Sequence, residues 1–221
     1  MCLNGQGIVP APGTVVPPHA RILYYSDQNL NAPQKITAKI GGKPVGVARA
    51  ERRSSPFKIV VIEIDSDRTG DLVVDFDGRP PVHWTVKAME MPKEVTGTTA
   101  RYRAPAHSGE PGESFDGLVI KLPEGTPAVL GTVKVRRDAD AQWQDIQSPI
   151  YTPVSETRPQ IRVGEFDCAS NASLSELSHG FDMEVTVLLL DGSSRKVTGF
   201  PPHLWLPAPL PPQPRPKNQR N

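Results

Sequence analysis

Cysteine is nearly absent from this chain, which has two in 221 residues, Cys2 and Cys168. A disulfide framework or a structural zinc site needs more than two, so we expect an apolar core to hold the fold together. No pattern typical of a catalytic nucleophile surrounds Cys168, and we interpret it as a small buried apolar residue. The length suffices for such a core in one large or two small domains.

Long apolar runs and an excess of charge of one sign are also missing. No stretch of about 18 apolar residues is present, so the sequence predicts no membrane-spanning helix. No segment of the printed sequence has the pattern of a signal peptide. The 25 Lys and Arg residues against 24 Asp and Glu leave a formal net charge of +1. Without a basic field we expect no nucleic acid partner.

Catalytic motifs are absent as well. The sequence contains no P-loop, no G-x-S-x-G nucleophile elbow and no G-x-G-x-x-G fingerprint. The histidines are scattered, and none pairs with another at the spacing of a zinc protease: His19, His83, His107, His179 and His203. We therefore predict that the protein is not an enzyme and needs no cofactor.

Proline and glycine are abundant, with 25 and 18 residues. Together they make up roughly a fifth of the chain, against an ordinary share of about 12%, which leaves little room for long helices. Between them, Val, Ile and Leu recur at every second position, the pattern of half-buried strands. These two features predict an all-β chain.

One motif, G-x-P-P-x-x-W, occurs twice, at 78–84 and at 199–205. Each copy closes a run of alternating apolar residues, so we interpret the two copies as the ends of two related domains. Trp84 and Trp205 are the expected core residues of these domains. The predicted parts are a flexible lead over 1–18, a sandwich over 19–88, a linker over 89–98, a second sandwich over 99–207 and a Pro-rich disordered tail over 208–221.

Turn signals predict three hairpins. Gly41-Gly42 follows one alternating segment, and Asp191-Gly192 separates two apolar runs near the C-terminus. A third hairpin is expected over 57–76, with its turn at 65–70, where Asp, Ser, Thr and Gly are concentrated. Each hairpin would place its two flanking strands side by side in one sheet.

One short helix is predicted in the second domain. Ser173 and Glu176 form a capping box, in which each side chain satisfies a backbone amide that the first helical turn leaves open. Gly180 provides the residue with positive φ that a helix end prefers. A helix of one or two turns needs the sandwich to support it.

Several segments of the chain resemble known β-sandwich families. The Pro-rich lead and the strand Ala20–Tyr25 resemble the opening of bacterial Ig-like domains. Segments 128–138 and 143–146 look like strands C and C′ of a fibronectin type III domain, and 177–187 is similar to its E-to-F crossing. Met183 stands where that family usually has a tyrosine. The resemblance implies two tandem Ig-like or fibronectin type III-like β-sandwiches, the second with the short helix.

The start of the chain resembles a mature bacterial lipoprotein, because Met1-Cys2 is followed by a polar, Pro-rich lead. In such proteins the cysteine carries lipid that tethers a soluble domain. Cys2 is therefore a candidate lipid anchor and the membrane contact that we expect. The alternative is an ordinary second residue. With the anchor, the protein would belong to the bacterial cell envelope or exterior; without it, a cytoplasmic location stays open.

One cluster has the chemistry of a cation ligand. Asp65, Asp67 and Thr69 fall at the first, third and fifth positions of a calcium loop, a glycine follows at the sixth, and Asp71 adds a carboxylate. The second half of the loop does not match, since Phe76 occupies the position of the bidentate Glu. These four residues are candidate calcium ligands. A plain turn, for which the same residue types are typical, is the alternative.

Aromatic residues make up only 6% of the chain. Trp143 lies among polar neighbours and is a candidate for stacking on a sugar, with core packing as the alternative. The leading hypothesis is a non-enzymatic envelope or extracellular protein that acts in surface structure or protein binding, with a protein partner. A carbohydrate-binding or substrate-presenting accessory module is the alternative hypothesis, and it requires exposed aromatic residues in line on one face.

Overall fold

The chain is all-β wherever its structure is described. The computed structural model describes residues 6–27, 32–54, 57–77, 79–103, 116–136, 139, 141–153, 156–163 and 180–204. Within these ranges there are strands and turns but no helix, which confirms the predicted class. The predicted helix lies outside them, except for Gly180, whose φ is 93°. Cys2, Cys168, Trp205 and the tail over 208–221 lie outside them too.

The strands alternate with short connections along the whole described chain. The first eight are β1 (Gln6–Val9), β2 (Val15–Val16), β3 (Arg21–Asp27), β4 (Ile36–Ile40), β5 (Lys43–Ser54), β6 (Phe57–Asp65), β7 (Gly70–Phe76) and β8 (Val82–Val86). The others are β9 (Val95–Thr96), β10 (Thr98–Arg103), β11 (Asp116–Lys121), β12 (Ala128–Arg136), β13 (Gln144–Pro149), β14 (Gln160–Val163), β15 (Phe181–Leu189), β16 (Ser194–Thr198) and β17 (His203–Leu204).

The first eight strands form an Ig-like sandwich. They pair in the order β1-β3-β6-β5-β4-β7-β8-β2. Strand β5 joins two sheets, because it pairs with β4 through Lys43 to Val45 and with β6 through Gly46 to Ser54. The two halves, β1-β3-β6-β5 and β4-β7-β8, have the A-B-E-D and C-F-G orders of an immunoglobulin sandwich.

The later strands form a second sandwich of related order. A three-stranded sheet β10-β11-β14 packs with a sheet of order β13-β12-β15-β16-β9, and β17 also pairs with β15. Strands β12 and β13 are antiparallel neighbours, as expected for C and C′, and β15 lies on the other side of β12. The close approach of the two sheets is visible at Gly131, where a Cβ would lie 2.7 Å from Ile161 Cγ1.

Trp84 fills the core of the first sandwich, as its place in the repeated motif predicts. Its side chain is 1% exposed, and its Nε1 donates a hydrogen bond to the carbonyl oxygen of Pro10 at 3.2 Å. The indole therefore buries its apolar body without leaving its polar atom unsatisfied.

The predicted lead and the predicted linker both contribute strands. In the lead over 1–18, β1 pairs with β3 and β2 pairs in parallel with β8. The prolines of the lead lie between or after these strands, so the strand amides remain available for pairing. In the segment over 89–98, β9 pairs with β16 and β10 begins at Thr98. The structure thus corrects the flexible lead and shortens the linker.

The hairpin predicted over 57–76 is wrong. Strand β6 pairs with β3 and β5, whereas β7 pairs with β4 and β8. The connection after Asp65 crosses from one sheet to the other. Two strands that face each other across a core show the same apolar alternation as two strands paired in one sheet, so the pattern does not distinguish the two cases. The two-residue turns are confirmed: Gly41 and Gly42 have φ of 55° and 76°, and Gly192 has 85°.

The two sandwiches pack against each other. The Tyr24 ring lies 5.9 Å from that of Phe76, so the alternate residue Leu23 points away from the first core, yet it is 0% exposed. Leu190 belongs to the same buried cluster as these residues, as do Val129 and Leu130. The Arg21 amide donates to the Leu190 carbonyl at 2.6 Å. An apolar interface thus covers the side of β3 and β6 that faces away from the first core.

Candidate interaction surface

One broad sheet face of the second sandwich is open to solvent, except at the end where Leu130 and Leu188 pack against the first sandwich. Strands β12 and β15 alternate between buried apolar residues and polar residues on the opposite side. This is the pattern of an antiparallel sheet with one face on the core and one in water. We call the open side, formed by β13, β12, β15, β16 and β17, the outer face.

An aromatic and a charged residue stack at one end of the outer face. Trp143, immediately before β13, is 37% exposed, and the guanidinium carbon of Arg136 lies 4.6 Å from its ring centroid. This distance is typical of a cation–π contact, which holds the indole in place on the surface.

The same line of residues continues across the sheet. Arg136 Nε lies 2.9 Å from Asp182 Oδ2, and His203 Nδ1 lies 3.0 Å from Asp182 Oδ1. The pKa of Asp182 is lowered, first by the hydrogen bond with His203 and then by the one with Arg136. We call the ordered line Trp143, Arg136, Asp182, His203 the tryptophan row.

A second line contains only charged side chains. Lys134 is paired in register with Asp145 on one side and with Glu184 on the other. Lys134 Nζ lies 3.9 Å from Asp145 Oδ1, and Lys196 Nζ lies 3.4 Å from Glu184 Oε1. All four are between 48% and 65% exposed. We call the ordered line Asp145, Lys134, Glu184, Lys196 the charged row.

Three of the four candidate calcium ligands lie beside two different histidines. Asp65 Oδ1 lies 3.5 Å from His19 Nδ1, and Asp67 Oδ1 lies 2.8 Å from His19 Nε2. Asp71 Oδ1 instead lies 3.6 Å from His83 Nδ1. Among the residues that the structure describes, no group of three His, Cys, Asp or Glu side chains is placed to hold a metal ion. Calcium binding at Asp65, Asp67, Thr69 and Asp71 stays a prediction.

Trp143 is exposed, as a residue that contacts a ligand must be. The large apolar side chains exposed in the described part of the chain are Val15, Met89 and Trp143. Aromatic residues in line on one face, which a sugar-binding sandwich needs, are therefore not found within that part. Stacking of Trp143 on a ligand stays a prediction.

The charged partners of Trp143 were not predicted from the sequence. Lys134 and Arg136 alternate in β12, and Asp182 and Glu184 alternate in β15, so the signal for one exposed face was present. Which positive residue stands beside which negative one depends on the register between strands about 46 positions apart, and no local pattern gives that register.

Comparisons with known proteins do not assign this chain to a family. No family model and no curated protein matches it. One solved structure that it resembles is titled "Tandem Ig repeats of Dlar", with 13% sequence identity, 88% of this chain and 97% of that chain covered, and a TM-score of 0.24. A likeness of this size transfers nothing to this chain. The Ig-like assignment rests on the strand order above.

Within the described ranges, no helix has the length and apolarity that a membrane span requires.

Proposed function

We propose that this protein is a non-enzymatic pair of β-sandwiches that binds another protein through the outer face of its second sandwich. The observation that carries the proposal is the stacked pair of Trp143 and Arg136 on an open sheet surface. Trp and Arg are the residue types most enriched at the energetic centres of protein interfaces. The alternating charges beside them supply orientation and specificity.

The packing of the two sandwiches supports this role. Leu190 and its neighbours bury one face of the first sandwich, so that face is not available for a partner. The outer face of the second sandwich lies on the other side of its own core; Leu130 and Leu188 at one end pack against the first sandwich, and the face stays open around Lys134 and Glu184. A fixed pair of domains presents such a surface in one orientation, which lowers the entropy cost of binding.

The binding proposal is tested by blocking the outer face with a bulky side chain. Thr132 lies on the outer face in β12, and Thr37 lies exposed on β4 of the first sandwich, so Thr→Arg at each position makes a matched pair. Tagged wild type and both variants are exposed to envelope extract of the producing cells, and retained proteins are identified by mass spectrometry. Thr132→Arg should lose a protein that wild type and Thr37→Arg retain. Equal retention by all three would refute the proposal.

For location, we propose the bacterial envelope or exterior, with Cys2 as the lipid-bearing residue. An anchor at position 2 would precede β1 by four positions and hold the first sandwich close to the membrane surface. Cells fed an alkyne fatty acid should label the wild-type protein but not Cys2→Ser. An unlabelled wild type in the soluble fraction would contradict this proposal. The proposal that the outer face binds a protein does not depend on that result.

A glycan ligand is the second candidate, favoured by the exposed indole of Trp143. A glycan array probed with wild type and Trp143→Ala tests it directly. Binding signals that are lost in Trp143→Ala would show that the outer face binds a sugar and not a protein. An array without such signals would rule out a glycan ligand.

A further inference from the structure

A groove opens beside the segment that joins the two sandwiches. It has a volume of about 390 Å³ and is lined by two segments, 90–95 without Lys93 and the turn 123–127 between β11 and β12. Met91, one of the lining residues, packs against the buried clusters of both sandwiches. We call this space the junction groove.

Hydrogen bonds hold both segments of the junction groove in place. The amide and the hydroxyl of Thr126 donate to the carbonyl oxygen of Pro123 at 3.2 and 2.7 Å. The carbonyl oxygen of Pro92 accepts a hydrogen bond from Arg195 Nε at 3.0 Å. The groove is therefore already formed before anything binds, which lowers the entropy cost of binding there.

The lining of the junction groove combines apolar surface with negative charge. Its apolar residues are Met91, Pro92, Val95, Pro123 and Pro127. Its charged residues are Glu90, Glu94 and Glu124, which are all exposed, and the lining contains no Lys, Arg or His. No ion pair among the described residues includes any of the three glutamates. The groove therefore suits a ligand with an apolar body and positive charges.

The tail over 208–221 has this chemistry. Five of its first nine residues are proline, its charged residues are Arg215, Lys217 and Arg220, and it contains no Asp or Glu. A Pro-rich segment favours the extended polyproline II conformation before it binds, so little further ordering is needed. Its proline rings would pack against the apolar lining, and its three positive charges would face the three glutamates.

The tail is long enough to reach the junction groove. Leu204, where β17 ends, pairs with Phe181 at the start of β15, whereas Ala128, next to the groove, pairs with Leu189 at the end of β15. These two ends of β15 are about 27 Å apart at roughly 3.4 Å per residue. Arg215 is the eleventh residue after Leu204, so an extended polyproline II chain carries it about 34 Å.

We propose that the tail binds in the junction groove of its own chain and forms a strap over the segment that joins the two sandwiches. The contacts are exposed ion pairs and proline packing, so the strap is weakly held and is released as salt rises. The inference goes beyond partner binding at the outer face and does not depend on it.

Carbodiimide coupling of the full chain tests the strap, because this reagent joins a lysine amine to a carboxylate only where the two are in contact. In the wild type at low salt, mass spectrometry should find Lys217 joined to Glu90, Glu94 or Glu124, and the yield should fall at high salt. An equal mixture of ¹⁵N-labelled and unlabelled chains should give joined peptides from one chain only. Mixed labels would place the tail in a second copy and overturn the proposal.

Two charge reversals that leave Lys217 and Glu94 intact test the electrostatic contacts. Arg215→Glu in the tail and Glu90→Lys in the groove should each lower the yield of the Lys217–Glu94 link by at least about threefold, because each replaces an attraction by a repulsion. Glu51→Lys, the same substitution at an exposed position of β5 in the first sandwich, is the control and should leave the yield unchanged. Coupling of Lys217 to carboxylates over the whole surface, no coupling to the groove, or equal yields in all variants would overturn the proposal.

Discussion

At the scale of single residues, Asp77 ties the end of β7 to the start of β4. It has a φ of 55°, and its carboxylate accepts hydrogen bonds from the amides of Gln34 and Lys35. These amide bonds, that of Lys35 first, hold the pKa of Asp77 below its ordinary value. The carboxylate therefore stabilises the fold in its charged form.

We expect Asp77→Asn to destabilise the protein in a pH-dependent way. Asn tolerates the left-handed backbone but removes the charge. Because the pKa is lowered in the folded state, the contribution is fully present above the ordinary Asp pKa and is lost as pH falls through the lowered value. Urea unfolding should show the largest gap between wild type and variant at neutral pH and a smaller one in acid. A gap that is constant with pH, or equal to that of exposed Asp71→Asn, would contradict this.

At the scale of elements, the spacing between the sheets of the second sandwich depends on Gly131. We predict that Gly131→Ala destabilises the protein by about 1–3 kcal/mol, because the added methyl overlaps Ile161 in the facing sheet. Chemical denaturation measures the change. Gly46→Ala, the same substitution in β5 where a Cβ meets Asp65 Cβ at 3.3 Å, is the control. Equal effects at the two positions would show that the sheet spacing does not depend on this glycine.

Local elements of the fold and the pairing of strands across tight turns were predictable, whereas the pairing of strands distant in sequence was not. The strand periods and the Gly41-Gly42 turn follow from interactions between residues close in sequence, and both were predicted. The crossing after Asp65 was mistaken for a hairpin, because two strands packed face to face have the same alternation as two strands paired edge to edge. The pairing of β3 with β6 joins residues distant in sequence, and only the assembled core selects it.

The candidate surface was predictable in part for the same reason. Trp143 stood out because its neighbours are polar, and it is exposed. Its contact with Arg136 depends on how β12 and β13 align, which the turn sequence between them does not specify. The rows are a property of sheet register, so they become visible only in the folded molecule.

At the scale of the whole molecule, the two sandwiches behave as one packed body. Leu190 is 4% exposed and lies in the cluster of the first core although it belongs to the second sandwich. Burial raises the pKa of Tyr25 in the first sandwich, and the charge of Tyr151 in the second sandwich adds to the effect.

We therefore expect a single calorimetric unfolding transition for the wild type. Leu190→Ala should cost about 2–4 kcal/mol and separate the transition into two, since it removes apolar contact between the sandwiches. Met89→Ala, at a position 37% exposed in the linker, should change stability by less than about 0.5 kcal/mol. Two separate transitions already in the wild type would contradict the packed interface.

We propose that the outer face of the second sandwich makes the contacts of this protein with its partner. The most direct measurement is photo-crosslinking in the producing cells, with a photoreactive phenylalanine analogue in place of Thr132 on that face or in place of Thr37 on the first sandwich. We expect a discrete adduct from position 132 and none from position 37, and an adduct of twice the chain mass if the partner is a second copy. Adducts from position 37 with none from position 132 would contradict it.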